Sequence, residues 1–343
     1  MKPIIAITTG DYNGIGPEVI LKSLHQLQPL PFIPVVVGHQ KIISFYQDKL
    51  DTPGLNFTTV KNPGTISEDG CYLLEMDLKQ EQEQGNQINI MPGVITEGAG
   101  YTAMQSVKRA LLLCKQSLAD AMVTAPISKE AVNRAGWSIP GHTEYLAEHT
   151  QCSNYMMMLV NEDLRVGLVS IHDPLAVVSA KITGSSIQKN AAVMHQSLRD
   201  NFGIAEPKIA VLGLNPHAGD GGYIGREEIT TITPAIEELK AENINVEGPF
   251  AADGFFGNRL YKEFDGILAM YHDQGLVPFK TLSFNAGVNF TAGLPIIRTS
   301  PDHGTAFDIA GKDEASPKSF IKALDLAVRL ANRKKENIQI TDS

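Results

Sequence analysis

The stretch GILAMYHDQGLVPFK, residues 266–280, joins an apolar strand to a polar ending. Its first part, from Ile267 to Met270, is a short apolar run of the kind that lies inside a parallel sheet. The next four side chains are those of Tyr271, His272, Asp273 and Gln274. Ligands of open α/β sheets bind beyond the carboxyl ends of strands, so this stretch predicts an α/β fold with a site at one sheet edge.

Short apolar runs alternate with longer amphipathic ones along the chain, which is the pattern of an α/β protein. The predicted strands are PIIAIT (3–8), FIPVVVG (32–38), AMVTA (121–125), MMMLV (156–160), RVGLVSI (165–171), KIAVLGL (208–214), GILAMY (266–271) and VNFTAGLPIIR (288–298). Helices are predicted over Thr102–Leu118, Glu227–Glu242 and Pro317–Arg333. A hairpin is predicted to turn at Asn161–Asp163, and the segment Gly136–Gly141 predicts a crossing between two domains.

Length and charge limit the class of protein. The chain has 343 residues, enough for two α/β domains, and a net charge of −9, which argues against a nucleic-acid binder. No apolar stretch reaches the length of a bilayer crossing, and the N-terminal run is too short for a secretory signal. Three widely spaced cysteines favour neither disulfides nor a cysteine metal site. We therefore expect a soluble cytoplasmic protein that binds neither nucleic acid nor membranes.

Three predicted strands lead to histidines. RVGLVSI is followed by His172, KIAVLGL leads through Asn215 and Pro216 to His217, and GILAMY is followed by His272. A single histidine at a strand end is usually a hydrogen-bonded loop residue. Three in the same topological position predict imidazoles that converge on a catalytic metal, with a water or substrate completing the shell.

Basic and polar groups near the same strand ends predict an anion site. Arg298 is placed at the end of an apolar strand and Lys280 in the helix after the third histidine, while Asn289 lies on the run GVNFTAG. In an acidic protein, these cations are candidates for holding a phosphate or carboxylate, and the weaker alternative for Arg298 is a surface side chain. His142 and Thr143 precede a helix, where they either cap it or bind an anion.

Two glycine-rich segments lack the usual nucleotide-binding patterns. GDYNGIGPEVI, residues 10–20, has Val19 where a dinucleotide loop has its third glycine, and no acidic residue ends the second strand. AGDGGYIGREE, residues 218–228, lacks the GK[ST] of a nucleotide-triphosphate loop. The second segment is interpreted as a turn that brings backbone close to His217 and caps the next helix.

The motifs at the two ends of the chain carry a resemblance to known enzymes. GDYNGIGPE (10–18) and DHGTAFDIAGK (302–312) together resemble the isocitrate and isopropylmalate dehydrogenase superfamily. The chain is more similar still to the 4-hydroxythreonine-4-phosphate dehydrogenase family. This similarity runs from near residue 10 to residue 311 through TAPISKEA, GHTE, IHDP, NPHAGDGGYIGREE, GPFAADGFF, YHDQG and GVNFTAGLPIIRTSPDHGTAFDIAG. One departure is Tyr12–Asn13, where that family usually has proline and a small residue.

The resemblance implies an isocitrate/isopropylmalate dehydrogenase-like fold of two α/β/α domains with a cleft between them. Domain one is expected at residues 1–135 plus 305–343. Domain two, residues 136–304, is expected to carry the metal ligands, the substrate ligands and the dimer interface. The resemblance further implies a homodimer with a shared active site. Because His272 opens the helix that carries Lys280, our hypothesis is that His172 and His217 come from one chain and His272 from the other.

The resemblance also implies roles for individual residues. A divalent metal (zinc, cobalt or magnesium) is expected at His172, His217 and His272, and imidazole ligands favour zinc or cobalt. The phosphorylated substrate is expected at His142, Thr143, Lys280, Asn289 and Arg298. The cofactor NAD(P) is expected at Gly304, Thr305, Ala306 and Asp308.

The implied activity is oxidation of 4-phosphohydroxy-L-threonine, with Asp253 and Lys280 as candidate catalytic residues. Asp253 is a candidate proton acceptor or a partner of a metal ligand, and Asp273 is a candidate partner that orients a histidine. The alternative for both residues is a helix cap. The sequence leaves two alternatives open. One is a sibling dehydrogenase of threonate or erythronate 4-phosphate, and the other is a metal-dependent hydrolase.

Overall fold

A computed structural model describes most of the chain, namely residues 2–50, 52, 54–66, 69–76, 88–139, 141–284 and 286–341. The chain divides into two compact units. The first unit comprises Met1–His149 and Ile296–Lys335, and the second comprises Thr150–Pro295 and Glu336–Ser343.

The strands of the described residues are β1 (Ile4–Thr8), β2 (Ile33–Gly38), β3 (Phe57–Val60), β4 (Cys71–Glu75), β5 (Ala121–Thr124), β6 (Met156–Val160), β7 (Arg165–Leu168), β8 (Ile209–Leu212), β9 (Val246–Phe250), β10 (Gly266–Ala269), β11 (Val288–Ala292) and β12 (Arg298–Pro301). The α-helices of the described residues are α1 (Gly16–Gln26), α2 (Gln40–Gln47), α3 (Glu97–Lys115), α4 (Lys129–Arg134), α5 (His142–His149), α6 (Leu175–Lys181), α7 (Gly184–Asp200), α8 (Thr233–Ala241), α9 (Ala252–Gly257), α10 (His272–Ser283) and α11 (Lys318–Thr341). A π-helical turn, Glu228–Ile232, precedes α8.

The first unit is built on parallel strands in the order β3-β4-β2-β1-β5-β12. Its central strands β1, β2 and β5 are almost wholly buried, which explains why they read as continuous apolar runs rather than alternating ones. Because the strands are parallel, their carboxyl ends share one edge. The loops after β1, β5 and β12 therefore lie at the same edge of this unit.

The second unit has the strand order β11-β6-β7-β10-β8-β9. Strands β7, β10, β8 and β9 are parallel, whereas β6 is antiparallel to both of its neighbours. The predicted hairpin is confirmed, since the Oδ1 of Asn161 accepts the backbone N–H groups of Asp163 and Leu164 at 2.8 and 2.7 Å. A core between the sheet and its helices contains Leu168, Leu212 and Phe279, all fully buried.

The α/β fold class is confirmed, and every strand run predicted from the sequence contains a strand. The run 288–298 contains two strands rather than one. Gly293 has a φ of +86°, and a Cβ there would lie 2.2 Å from the carbonyl oxygen of Asn154, so the chain bends before β12. Arg298 consequently begins a strand, and its predicted place at a strand end is wrong.

The division between the units differs from the predicted domain boundaries. Residues 136–149 and 296–304 lie in the first unit, not the second. After Gly136 the chain stays on the first unit, because Trp137 packs edge-on against Tyr145 and Lys115 donates to the carbonyl oxygen of His149. The pairing of β12 with β5 holds the returning segment there as well.

The three cysteines are free thiols, as predicted. Burial raises the pKa of the Cys71 thiol to about 11 and that of Cys114 to about 12. None of the helices in the described part of the chain combines the length and the apolar character that a bilayer crossing requires.

Candidate active site

The three predicted metal-binding histidines follow neighbouring strands of the second unit. His172 comes after β7, His217 after β8 and His272 after β10, which lies between those two strands. The rings of His172 and His272 are close, with centroids 5.9 Å apart. The shared sheet edge predicted from the sequence therefore exists, and it brings two of the imidazoles together.

The imidazole of His272 has a carboxylate partner. Its Nδ1 lies 2.7 Å from the Oδ1 of Asp273, which is the contact predicted for a residue that orients a histidine. A neutral imidazole that donates its Nδ1–H to this carboxylate presents the lone pair of Nε2 to a ligand.

His217 has a different environment. It lines a cavity of about 580 Å³ together with Asp253, Asp273, Phe256 and Val277. Within the described residues of one chain, no group of three or more His, Cys, Asp or Glu side chains is arranged to hold a metal ion. One chain therefore does not assemble the predicted three-histidine site, although the imidazole donors and the carboxylate on His272 suit a divalent metal.

The backbone at His217 is left-handed. All residues from 217 to 222 have positive φ, including His217 at +53° and Asp220 at +45°. Each non-glycine residue in this region costs roughly 1–2 kcal/mol, so the surrounding structure must hold the turn in place.

Glu228 supplies that support, and it was not singled out from the sequence. Its carboxylate is buried and accepts the backbone N–H groups of Leu214 and Asn215 at 2.8 and 2.7 Å. It also accepts the Nδ2–H of Asn215 at 2.9 Å. A Cβ at Gly219 would lie 2.6 Å from its Oε2, which explains one glycine of this segment. From the sequence, this segment was predicted to bring backbone close to His217. The sequence did not indicate that the segment wraps around the carboxylate of Glu228.

Gln274 links the ends of strands β8 and β10. Its Oε1 accepts the N–H of Met270 at 2.7 Å, and its Nε2 donates to the carbonyl oxygen of Gly213 at 2.6 Å. The end of β10, before His272, is thereby joined to the end of β8, before His217.

The predicted anion ligands are divided between the units. His142, Thr143 and Arg298 belong to the first unit, whereas Lys280 and Asn289 belong to the second. Lys280 is exposed on α10. Asn289 lies on β11, and its buried Oδ1 has no hydrogen-bond partner among the described residues.

Arg298 is buried rather than at the surface, with 2% of its area exposed, so the alternative of a surface arginine is wrong. Its Nε and Nη2 both donate to the Oγ1 of Thr124, at 3.1 and 2.7 Å. Burial lowers the pKa of the guanidinium to about 10, against the opposing effect of Glu144, so the side chain stays a cation at neutral pH.

His142 is held neutral beside this cation. Burial and the charge of Arg298 hold the pKa of its imidazole well below the usual value. Its Nε2 is buried and has no hydrogen-bond partner in the part of the chain that the structure describes. A buried cation next to an unsatisfied imidazole nitrogen is an arrangement that an anionic or hydroxyl-bearing ligand would satisfy. Thr143 lies next to His142 in the first turn of α5.

The predicted cofactor loop, residues 303–308, contacts the glycine-rich segment after β1. The N–H of Ile15 donates to the carbonyl oxygen of Thr305 at 2.9 Å, and a Cβ at Gly14 would lie 2.8 Å from that oxygen. Ala306 has a φ of +42°, and a Cβ at Gly304 would have no neighbour within 4 Å among the described residues.

Asp11, in the same segment, was also missed. It is fully buried, and its Oδ2 has no hydrogen-bond partner among the described residues. Burial raises the pKa of its carboxyl to about 6, although the N–H groups of Asn13 and Gly14 act in the opposite direction. The signal in the sequence was an acidic residue three positions after the end of a buried strand.

Comparisons with known proteins agree over nearly the whole chain. The family model described as "Pyridoxal phosphate biosynthetic protein PdxA" matches residues 32–327. A protein of Bacteroides thetaiotaomicron named 4-hydroxythreonine-4-phosphate dehydrogenase is 44% identical over 335 residues, which cover 97% of this chain and 90% of that protein. One of the same name from Prosthecochloris aestuarii is 43% identical over 332 residues, covering 95% and 96%.

A solved structure gives the same result. The crystal structure of 4-hydroxythreonine-4-phosphate dehydrogenase from Klebsiella pneumoniae has a TM-score of 0.86 at 38% identity, covering 96% of this chain and 98% of that one. With the family model matching most of the sequence, the chain belongs to the family of the pyridoxal phosphate biosynthetic protein PdxA.

Proposed function

We propose that this protein is a nicotinamide-dependent dehydrogenase that oxidises 4-phosphohydroxy-L-threonine in pyridoxal phosphate biosynthesis. The near full-length similarity to dehydrogenases of that name carries the proposal. In the reaction, the carbinol carbon gives a hydride to NAD(P)+ and the hydroxyl gives up a proton. The product, 2-amino-3-oxo-4-(phosphooxy)butanoate, is a β-keto acid and loses CO2 to form 3-amino-2-oxopropyl phosphate.

The substrate's anionic groups would be held by the cation and the neutral imidazole of the first unit. Arg298 is charged at neutral pH, and burial in a low-dielectric environment strengthens its interaction with a phosphate or carboxylate. His142 and Thr143 would contribute hydrogen bonds, and Lys280 and Asn289 of the second unit are proposed as further ligands. Asp253, at the start of α9 and in the cavity with His217, is the proposed proton acceptor.

A divalent metal is proposed at His172, His217 and His272. Such an ion would polarise a coordinated hydroxyl and lower its pKa. Because imidazole nitrogen is the donor, zinc or cobalt is favoured over magnesium. Metal content measured after exhaustive chelation, together with NAD+ reduction, tests this assignment. Full activity in a metal-free sample would contradict it.

The protein is proposed to act as a homodimer whose second unit forms the interface. Among the described residues, the large exposed apolar side chains of the second unit are Leu175, Val177, Tyr223, Ile224, Ile229, Val277, Leu282 and Phe284. Those of the first unit are only Met91, Val94 and Leu112. Exposed apolar surface of this kind favours a protein–protein contact, and light scattering would measure the mass in solution.

The short distance between His172 and His272 within one chain supports a division of the ligands other than the expected one. With these two rings 5.9 Å apart, we propose that they act together and that His217 comes from the partner subunit. Mixed dimers of alanine variants test this division. When two inactive variants complement each other, random mixing gives half hybrids with one intact site in two, so about a quarter of wild-type activity returns.

Three mixtures separate the possibilities. If His172 and His272 act from one chain, His172→Ala mixed with His272→Ala stays inactive, while each mixed with His217→Ala recovers. If His172 and His217 act from one chain, the mixture of those two variants is the inactive one. If no mixture recovers activity, one chain supplies all three histidines and the shared site is rejected.

The substrate is tested by NAD+ reduction with 4-phosphohydroxy-L-threonine, compared with threonate 4-phosphate and erythronate 4-phosphate. We expect kcat/KM to be highest for the amino acid substrate. A higher value for either sugar acid would assign the protein to the sibling activity, while turnover of none of the three would reject the proposed function.

A further inference from the structure

We propose that Thr124 is the positioning residue of the Arg298 guanidinium, and that its hydroxyl sets the affinity for the anionic substrate. This inference rests on the proposed function, in which Arg298 binds that anion. Thr124 is fully buried at the end of β5, and its Oγ1 accepts both the Nε–H and an Nη2–H of Arg298.

The sheet register explains how the two side chains meet. Arg298, at the start of β12, pairs with Met122 of β5. Thr124 is two residues beyond Met122, so its side chain emerges on the same face of the sheet. The long arginine side chain extends along the strand direction to reach the hydroxyl, and two adjacent parallel strands thus fix both ends of the contact.

The geometry of the contact restricts the guanidinium. The group is planar and carries its N–H donors in a fixed fork. Two donors that share one acceptor fix both the position of the fork and the rotation of its plane. Because binding of a phosphate or carboxylate by arginine depends on that plane, the hydroxyl orients the cation before a ligand arrives.

The Thr124 hydroxyl differs from that of a threonine with only a structural role, because both of its acceptor positions are used by the same side chain. Its oxygen has two lone pairs, and the two N–H groups of Arg298 occupy both. Thr124 is therefore committed to this one side chain as an acceptor. A buried guanidinium that loses such a partner keeps its charge but loses the two hydrogen bonds that hold its Nε and Nη2 in place.

Thr299 provides a matched control. It is the next residue after Arg298, is also fully buried, and its Oγ1 donates to the backbone carbonyl of Ala323 at 2.8 Å. Thr299→Val therefore removes one buried hydroxyl and one hydrogen bond from β12, the strand of Arg298, and leaves the contact between Arg298 and Thr124 in place. It measures the general cost of losing a hydroxyl at this depth.

The experiment compares Thr124→Val, Thr124→Ser and Thr299→Val as purified full-length enzyme. We measure KM and kcat for the phosphorylated substrate, inhibition by inorganic phosphate and the unfolding midpoint. Thr124→Val should raise KM and the phosphate inhibition constant about 10- to 100-fold, the effect of one hydrogen bond to a charged group. Thr124→Ser keeps the acceptor and should stay within about threefold of the wild type, while Thr299→Val should lower only the unfolding midpoint.

An unchanged KM in Thr124→Val, or an equal rise in KM in Thr299→Val or in Thr124→Ser, would overturn the inference. Thr124→Ala removes the same hydroxyl in a smaller side chain and replaces the valine variant if that one does not fold. Arg298→Ala separates the two levels of the proposal, because it removes the cation. If it leaves KM and phosphate inhibition unchanged, the anion site itself is wrong, whereas an effect in Arg298→Ala without one in Thr124→Val rejects only the role of Thr124.

Discussion

Two segments of the chain are both rich in glycine but have different structural roles. We call residues 10–16 the first glycine turn and residues 213–222 the second glycine turn. Each follows a buried strand at the carboxyl edge of its sheet. In the first, a Cβ at Gly10 would lie 2.4 Å from the carbonyl oxygen of Pro126. In the second, a Cβ at Gly219 would lie 2.6 Å from the carboxylate of Glu228.

The difference shows that a glycine pattern indicates close approach without indicating what approaches. The first glycine turn packs against other backbone and contains a buried acid, Asp11, with one unpartnered oxygen among the described residues. In the second, the N–H groups of Leu214 and Asn215 already bind an internal carboxylate. Those two donors are thus taken by Glu228 and are not offered to a phosphate, which agrees with the absence of a nucleotide-triphosphate loop pattern in this segment.

The largest loss of stability is expected when the second glycine turn is disrupted. Glu228→Ala leaves two backbone N–H groups without their acceptor and removes one of the two hydrogen bonds of the Asn215 amide, so we expect the free energy of unfolding to fall by roughly 3–5 kcal/mol. Urea unfolding measures it. The control is Glu227→Ala, which removes a less buried carboxylate bound to the same Asn215 side chain and should cost about 1 kcal/mol. Equal losses in the two variants would show that Glu228 has no special role.

In the first glycine turn, Asp11→Asn should raise the free energy of unfolding rather than lower it. Burial raises the pKa of Asp11 from 3.8 to about 6, so the unfolded chain loses this proton first as pH rises. The ionised carboxylate of Asp11 therefore lowers the free energy of unfolding. The loss grows between pH 4 and 6 and above pH 6 reaches its full value, on the order of 2–3 kcal/mol. Asparagine removes that cost. Urea unfolding should find the variant more stable than wild type at pH 8 and nearly equal at pH 4; a gain independent of pH would contradict the titration.

A smaller loss is expected when the backbone contact of the first glycine turn is crowded. Gly14→Ala places a Cβ 2.8 Å from the carbonyl oxygen of Thr305, which is backbone and must shift. Overpacking of this kind costs about 1–3 kcal/mol. The unfolding midpoint gives the loss, and proteolysis within residues 303–308 reports whether the facing loop has moved. An unchanged midpoint would mean that the two segments are not held together.

The smallest effect on stability is expected for Gly304→Ala, in the loop that faces the first glycine turn. Because a Cβ there meets nothing within 4 Å among the described residues, the change should stay within about 0.5 kcal/mol. If the dinucleotide lies along residues 303–308, the added methyl should raise the KM for the dinucleotide while the KM for the phosphorylated substrate stays constant. An unchanged dinucleotide KM would place the cofactor elsewhere.

Features that depend on near neighbours were predictable. The strand followed by His272, the adjacent Asp273 and the hairpin at residues 161–163 were all predicted, because apolar runs and turn residues act over a few positions. The split of 288–298 into two strands was not. It depends on Gly293 approaching the backbone of Asn154, a contact with a segment far away in the sequence.

The sequence alone therefore determined the α/β class, the strands that are followed by histidines, and the presence of cations suited to an anion. Tertiary structure alone decided which histidines pair, that Arg298 is buried, and which polar groups support it. The reason is that burial and hydrogen-bond partners come from distant residues. Glu228 binds backbone 13 and 14 residues away, and Arg298 binds a threonine 174 residues away, separations at which no local pattern indicates a contact.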